Sequence, residues 1–249
     1  MNDREPASLC IAIAAKGNVD IEPCLRALSK DIENIAVPIT IHIAHDQILD
    51  PAIIQRLFPS SPLNEQAQTD MKLQVVTTRC PDLTSILKLW GIVLANTTEQ
   101  YVAVIDASCP PSTGWLSTVV ENVQKDILVF YGSVEPGWDM NNINIVGYII
   151  EYAQFKSPIQ CSSEYPGNNI IFKTGLLESK EELINNGFFK TFMLWKLEHE
   201  HNEKPQYSDN MPVFYFKAFR FLPYMKRRRD HGRCFGASRL KQENQPPRW

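Results

Sequence analysis

Apolar residues along this chain fall into short runs separated by polar segments at helical spacing. Ser8 to Ala14 (SLCIAIA) reads as a first strand and Ala15-Lys16-Gly17-Asn18 as a turn. Asp20 can cap a helix in which Leu25, Leu28 and Ile32 recur at helical spacing. Val37 to Ala44 alternates Ile39, Ile41 and Ile43 with polar residues, which predicts a second strand ending at His45-Asp46. Asp50-Pro51 opens a short helix through Leu57, by N-cap and first-turn proline. Ser60 to Thr69 is polar and loop-like, and Lys72 to Thr77 is a third strand. Asp82 to Ala95 is helical, with Leu83, Ile86, Leu87, Trp90 and Leu94 on one side. Tyr101 to Ile105 is a nearly continuous apolar run, the pattern of a strand buried on both faces.

That run stops at Asp106. Pro110 and Pro111 remove donors and fix φ, so the ladder cannot continue, and Ser112 or Thr113 can cap a helix from Trp115 to about Gln124. A strand at Ile127 to Tyr131 follows. Repeating β-α about four times with short connections predicts an α/β fold, a parallel sheet covered by helices on both faces. Ligands bind such sheets at the carboxyl ends of the strands, which makes Asp106 the first candidate for chemistry. The alternative is a solvated Asp that merely closes a strand. No GxGxxG follows the first strand and no GxxxxGK[ST] occurs, so dinucleotide and P-loop readings lose their main support.

The second half differs in character. Ile143 to Phe155 reads as helix, and Ser157 to Asn169 as a loop ending in Pro166-Gly167-Asn168-Asn169. Ile170 to Lys173 is a short strand, Glu178 to Ile184 and Phe188 to His199 are helices, and Pro212 to Phe216 is a strand. From Phe219 to Leu240 the chain is aromatic, basic and partly helical.

Composition narrows the classes. At 249 residues the chain can bury a full core. No apolar run reaches the ~18 residues of a membrane span, and Met1 to Glu5 does not resemble a secretory signal, so the expected location is cytoplasmic. Six scattered cysteines without CxxC or Cys/His pairing point to reduced thiols. Residues 217–249 hold ten Lys or Arg against two Asp or Glu within a chain of net charge −3, which leaves about −11 on the preceding residues. This divides the chain into a body, 1–216, and a basic C-terminal segment, 217–249. That segment should attract anions: phosphorylated ligands, or a membrane surface by peripheral contact. Nucleic acid is not expected, because no recognised module is present.

The order of these motifs resembles family-2 glycosyltransferases of the GT-A fold over nearly the whole chain. IDASCPPSTGWL is similar to the family's strand-end acidic motif, usually DADC followed by prolines and Gly-Trp. PGNNIIFKTGLL resembles its small-residue-Asn segment, and FLPYMKRRRDHGRCFGASR the basic closing segment of one subgroup. The resemblance implies transfer of a sugar from a nucleotide-diphosphate donor to an acceptor of unknown identity. It implies that Ala14, Ala15, Lys16, Asn18 and Asp46 lie against the donor base and ribose, with Lys88 approaching the same pocket. Asp106 matches the first metal-binding position, for Mn²⁺ or Mg²⁺, with Ser108 in the same motif. Arg229, His231 and Arg233 would meet the diphosphate, and Gly167, Asn168 and Asn169 would lie on the acceptor side. Oligomers are compatible with the family.

Three departures bear on activity. Ser108 replaces the motif's second carboxylate and binds a cation far more weakly. The family's acidic pair before a helical Leu-x-x-Arg-Leu falls on Phe189 and Lys190, neither an ordinary carboxylate base. AAKGN lacks the family's usual proline and aromatic residue. The general base and the catalytic residues are therefore unassigned, and a glycosyltransferase-like binding or partner protein is the second reading. Phe189, Phe192, Met193 and Trp195 have core periodicity. His199 and His201, two apart among Glu198, Glu200 and Glu203, read as a solvated helix end rather than a metal cluster. His42 and His45 read as strand-end residues.

Overall fold

In the computed structural model, which describes residues 7–32, 35, 37–59, 72–159, 164–218 and 220–241, a seven-stranded sheet runs through the molecule. Its first half alternates strand and helix: β1 (Leu9–Ala15), α1 (Glu22–Ile32), β2 (Ile39–His45), α2 (Pro51–Leu57), β3 (Leu73–Arg79), α3 (Ile86–Ala95), β4 (Tyr101–Asp106) and α4 (Trp115–Gln124). The second half adds β5 (Val129–Tyr131), β6 (Val134–Pro136), α5 (Asn142–Tyr152), β7 (Asn169–Lys173), α6 (Lys180–Asn186), α7 (Lys190–Lys196), β8 (Gln206–Tyr207), β9 (Val213–Tyr215) and α8 (Phe221–Lys241). Ser60 to Thr69, Met1 to Glu5, Cys161 and Phe219 lie outside the described residues.

The sheet order is β3-β2-β1-β4-β7-β5-β8, and β6 pairs with β9 separately. From β3 to β4 all pairs are parallel, but β7 runs antiparallel to both β4 and β5. The sheet is thus mostly parallel, as expected, with one reversed strand that chain order alone did not predict. Its consequence is local. Reversal brings the amino end of β7 to the edge where β4 ends, with Asn169 opposite Ile105.

Alternation along the buried strands sends side chains into two cores. Leu9, Ile11 and Ile13 of β1, with Tyr101, Ala103 and Ile105 of β4, join Leu25, Leu28, Trp115 and Val119 of α1 and α4 on one face. Cys10, Ala12, Ala14, Val102 and Val104 face Leu89, Trp90 and Val93 of α3, Leu183 of α6 and Met193 of α7 on the other. Helices on both faces follow from β1 and β4 being buried at every position.

Two caps differ from their sequence expectation. Leu83 takes a positive φ and Ser85 is the N-cap of α3, its hydroxyl accepting from Lys88 N–H, so the helix begins at Ile86 rather than Asp82. At α4 the cap position is Gly114, with no side-chain bond from Ser112 or Thr113. Asp31 of α1 accepts there instead, from Gly114 N–H at 3.1 Å and Leu116 N–H at 3.4 Å. A carboxylate at a helix N-terminus satisfies orphan donors and opposes the dipole. The role of a cap is filled from a neighbouring helix.

Candidate nucleotide-sugar site at the carboxyl edge of the sheet

Parallel pairing brings the ends of β2, β1 and β4 side by side: Ala14 lies opposite Asp106, and Ala15 opposite His45. Beyond β1 the chain turns at Gly17, whose φ of +65° is a conformation that favours glycine. Its N–H donates to Asp46 Oδ1 at 2.6 Å, and Asp46 is buried. Lys16 Nζ donates to Thr84 O at 2.7 Å, which ties this turn to the approach of α3. Asn18 is exposed, as is Lys88 in the first turn of α3. Residues 14–18, Asp46 and the start of α3 are thus assembled around one turn. His42 and His45 bond to Thr78 Oγ1 and Gln47 O.

Asp106 is buried at the end of β4. Its Oδ1 accepts from Ser108 N–H at 2.9 Å and from the Ser108 hydroxyl at 2.7 Å. Lys217 Nζ stands 3.6 Å from Oδ2. Ser108 therefore holds the carboxylate of Asp106. Among the described residues no three His, Cys, Asp or Glu side chains gather in a way that could hold a metal ion. One carboxylate, with one oxygen bonded by a serine and the other facing an ammonium, is a poor seat for Mn²⁺ or Mg²⁺, which would have to displace the ammonium and draw its remaining oxygens from donor phosphates and water.

The loop before β7 reaches the turn that follows Asp106. Asn168 Nδ2 donates to Cys109 Sγ at 3.1 Å, and Asn168 Oδ1 is buried with no hydrogen-bond partner among the described residues. Burial pushes the Cys109 thiol well up, the Asp106 charge adding to it. Asn169 is occupied by the framework: Nδ2 donates to Ser133 O at 2.9 Å and Met211 O at 2.7 Å, while Oδ1 accepts from Trp115 Nε1 at 3.0 Å. Gly167 lies against Lys190, whose Cδ would be 3.6 Å from an added Cβ. The Lys190 ammonium donates to Tyr165 O and stands 3.5 Å from Glu164 Oε2. Burial pulls its pKa down while Glu164 acts in the opposite direction. Phe189, the N-cap of α7, is buried. Those two positions thus carry a cation and a core aromatic residue beside the loop.

Within the basic segment, Phe221–Lys241 form one helix, α8, and its cations do not form one cluster. Phe235 of α8 stacks on Phe192, with ring centroids 5.8 Å apart, and His231 lies 5.8 Å from the Phe189 ring. At about 100° per residue, Arg229 and Arg233 project from the opposite side of α8, and both are exposed. The three side chains expected to meet one diphosphate are therefore not brought together. His199 and His201 are exposed in a π-helical turn, Leu197–His201.

Two residues of this region escaped sequence reading. In the sequence Lys217 reads only as the start of the basic segment, because its place depends on the pairing of residues 212–216 with 108–112. Asp31 carried a visible signal, lying three residues after Leu28 on the buried side of α1.

No protein-family model and no curated protein sequence matches the chain. Solved structures do match its fold. TarS 1-349 of S. aureus in complex with UDP-GlcNAc superposes with a TM-score of 0.53 at 11% identity, over 86% of this chain and 60% of that one. Its UDP complex gives 0.53 at 11% identity, over 83% and 60%. Glucosyl-3-phosphoglycerate synthase of Mycobacterium tuberculosis, in complex with phosphoglyceric acid, gives 0.51 at 10% identity, over 89% and 75%. The chain spans less than two thirds of the TarS structures it matches. Both neighbours are GT-A-type structures, and the mostly parallel sheet with helices on both faces has the same architecture: this chain has a GT-A-type fold.

Proposed function

We propose that this protein is a glycosyltransferase that takes a sugar from a nucleoside-diphosphate donor. The observation that carries the reading is the meeting of Asp46, residues 14–18 and Asp106 at one edge of the parallel strands, with the 167–169 loop brought to the same edge by β7. In this reading Ala14, Ala15, Lys16, Asn18 and Asp46 hold the base and ribose, and Lys88 approaches from α3. A buried carboxylate such as Asp46 accepts hydrogen bonds from ribose hydroxyls or base N–H groups. The diphosphate lies by Asp106 and Ser108, where leaving-group charge develops. Gly167 and Asn168 face the acceptor side, and Asn169 supports them from behind. The bound UDP-GlcNAc and UDP of the TarS structures support a donor of this class.

Thermal shift with UDP, GDP and their sugars tests the reading, since a ligand that binds only the native state raises its stability. Stabilisation by one nucleotide series, lost in Asp46→Ala, is expected. No shift from any of them would contradict it. Stabilisation without turnover on any acceptor would favour the binding-protein alternative, which rests on Phe189 and Lys190 at the base positions. We also propose that α8 touches anionic lipid, because Phe221, Leu222 and Met225 are exposed next to its cations. Among the described residues no helix is long and apolar enough to cross a membrane.

A further inference from the structure

We propose that Lys217 is the built-in cation of the donor site, so that the protein binds a nucleoside diphosphate without a divalent metal. This rests on the nucleotide-sugar reading above and assigns the charge that the reading needs.

Backbone pairing fixes where Lys217 arrives. Ser112 N–H donates to Pro212 O at 3.0 Å, Phe214 N–H to Pro110 O at 2.9 Å and Phe216 N–H to Ser108 O at 3.0 Å. Residues 212–216 thus run along the loop that follows β4, and the next residue reaches Asp106. The Lys217 side chain is partly exposed, at 29%, while the Asp106 side chain is 8% exposed. At 3.6 Å the pair is longer than the roughly 2.7–2.9 Å of a direct charge-assisted hydrogen bond. An ammonium has three donors, and among the described residues Lys217 makes no hydrogen bond. It has donors to give to phosphate oxygens.

Ser108 completes the picture. A second carboxylate here would share a cation with Asp106; the hydroxyl instead bonds to Asp106 Oδ1 and leaves the pair close to neutral. One Lys supplies less charge than a divalent ion, so binding should be weaker and salt-sensitive. It should also be indifferent to chelators.

Calorimetric titration of the full chain with UDP, GDP and the matching nucleosides, in Mn²⁺ and separately in EDTA, tests this. Equal diphosphate affinity in the two buffers is expected. Lys217→Met should lose about tenfold or more in diphosphate affinity, the loss of one charge-assisted bond, and little in nucleoside affinity. Asp106→Asn keeps the acceptor for Ser108 and removes the charge that competes with phosphate for Lys217, so diphosphate affinity in EDTA should rise rather than fall. Diphosphate binding that requires Mn²⁺ and vanishes in Asp106→Asn would overturn the proposal and leave the donor site standing. Equal loss of diphosphate and nucleoside in Lys217→Met, with an unchanged melting temperature, would overturn it as well. Binding of no nucleotide in either buffer would overturn both readings.

Discussion

Trp115 shows how much a single residue of the strand-end segment does. Fully buried, it fills the core beneath β4, and its indole N–H holds Asn169, which in turn holds Ser133 and Met211. Trp115→Ala should cost about 3–5 kcal/mol by cavity formation, read as a shift of the denaturation midpoint. Trp115→Phe keeps most of the volume but leaves Asn169 Oδ1 without its buried donor, a cost of about 1–3 kcal/mol. Its burial was legible in the sequence, because an apolar residue after a strand-end turn at a helix start has nowhere else to go. Its link to Asn169 was not, because that depends on β7. His42 gives a pH-dependent counterpart. Burial lowers its pKa below 6.5, so the unfolded chain binds the proton more readily than the native one. The sign follows: this contribution to stability is complete above about pH 6.5 and is lost as pH falls below it. His42→Gln should therefore flatten the fall in melting temperature between about pH 7 and pH 5. An unaltered slope would place the acid sensitivity elsewhere.

At the scale of elements, β1 and β4 could be read from apolar runs because they are buried throughout, β2 from its alternation, and β3 from a short apolar stretch bounded by polar turns. β6 and β8 were missed because three and two residues are too few to show a period. The reversed direction of β7 is equally silent in the sequence, since strand pattern does not encode partner or orientation. What fixes this region is close backbone approach at Gly132, between β5 and β6. A Cβ there would collide with Met211 O and lie 2.6 Å from Asn169 Nδ2. Gly132→Ala should destabilise by about 1–3 kcal/mol, as overpacking does, and should also displace Asn169. Chemical denaturation would measure the first effect. An unperturbed midpoint would mean that this junction yields without cost. For α8, Phe235→Ala removes the stack on Phe192 and should expose residues 221–241 to limited proteolysis while the body stays folded. Leu222→Asp should reduce sedimentation with anionic vesicles; equal sedimentation would remove the lipid contact proposed for α8.

Across the whole molecule, the sequence revealed an edge but not its contents. Asp46 and Asp106 were identifiable because both close strands in a parallel run, and the structure places both at the carboxyl edge beside the Gly17 turn. Lys217 was hidden because its approach to Asp106 is made by pairing across about a hundred residues of chain. The charge imbalance marked the segment but not how its side chains are arranged, since α8 turns Arg229 and Arg233 away from His231. Charge counting locates a segment; only the backbone says which side chain faces the site. Photolabelling is the sharpest test of whether a nucleoside diphosphate sits at this edge. Irradiation with a 5-azido-UDP-sugar, or the corresponding photoactivatable GDP-sugar, followed by peptide mass mapping should place the label within residues 14–18 or 45–47, with protection by unmodified nucleotide. Protectable label confined to α5, α8 or any other segment away from that edge would contradict the account.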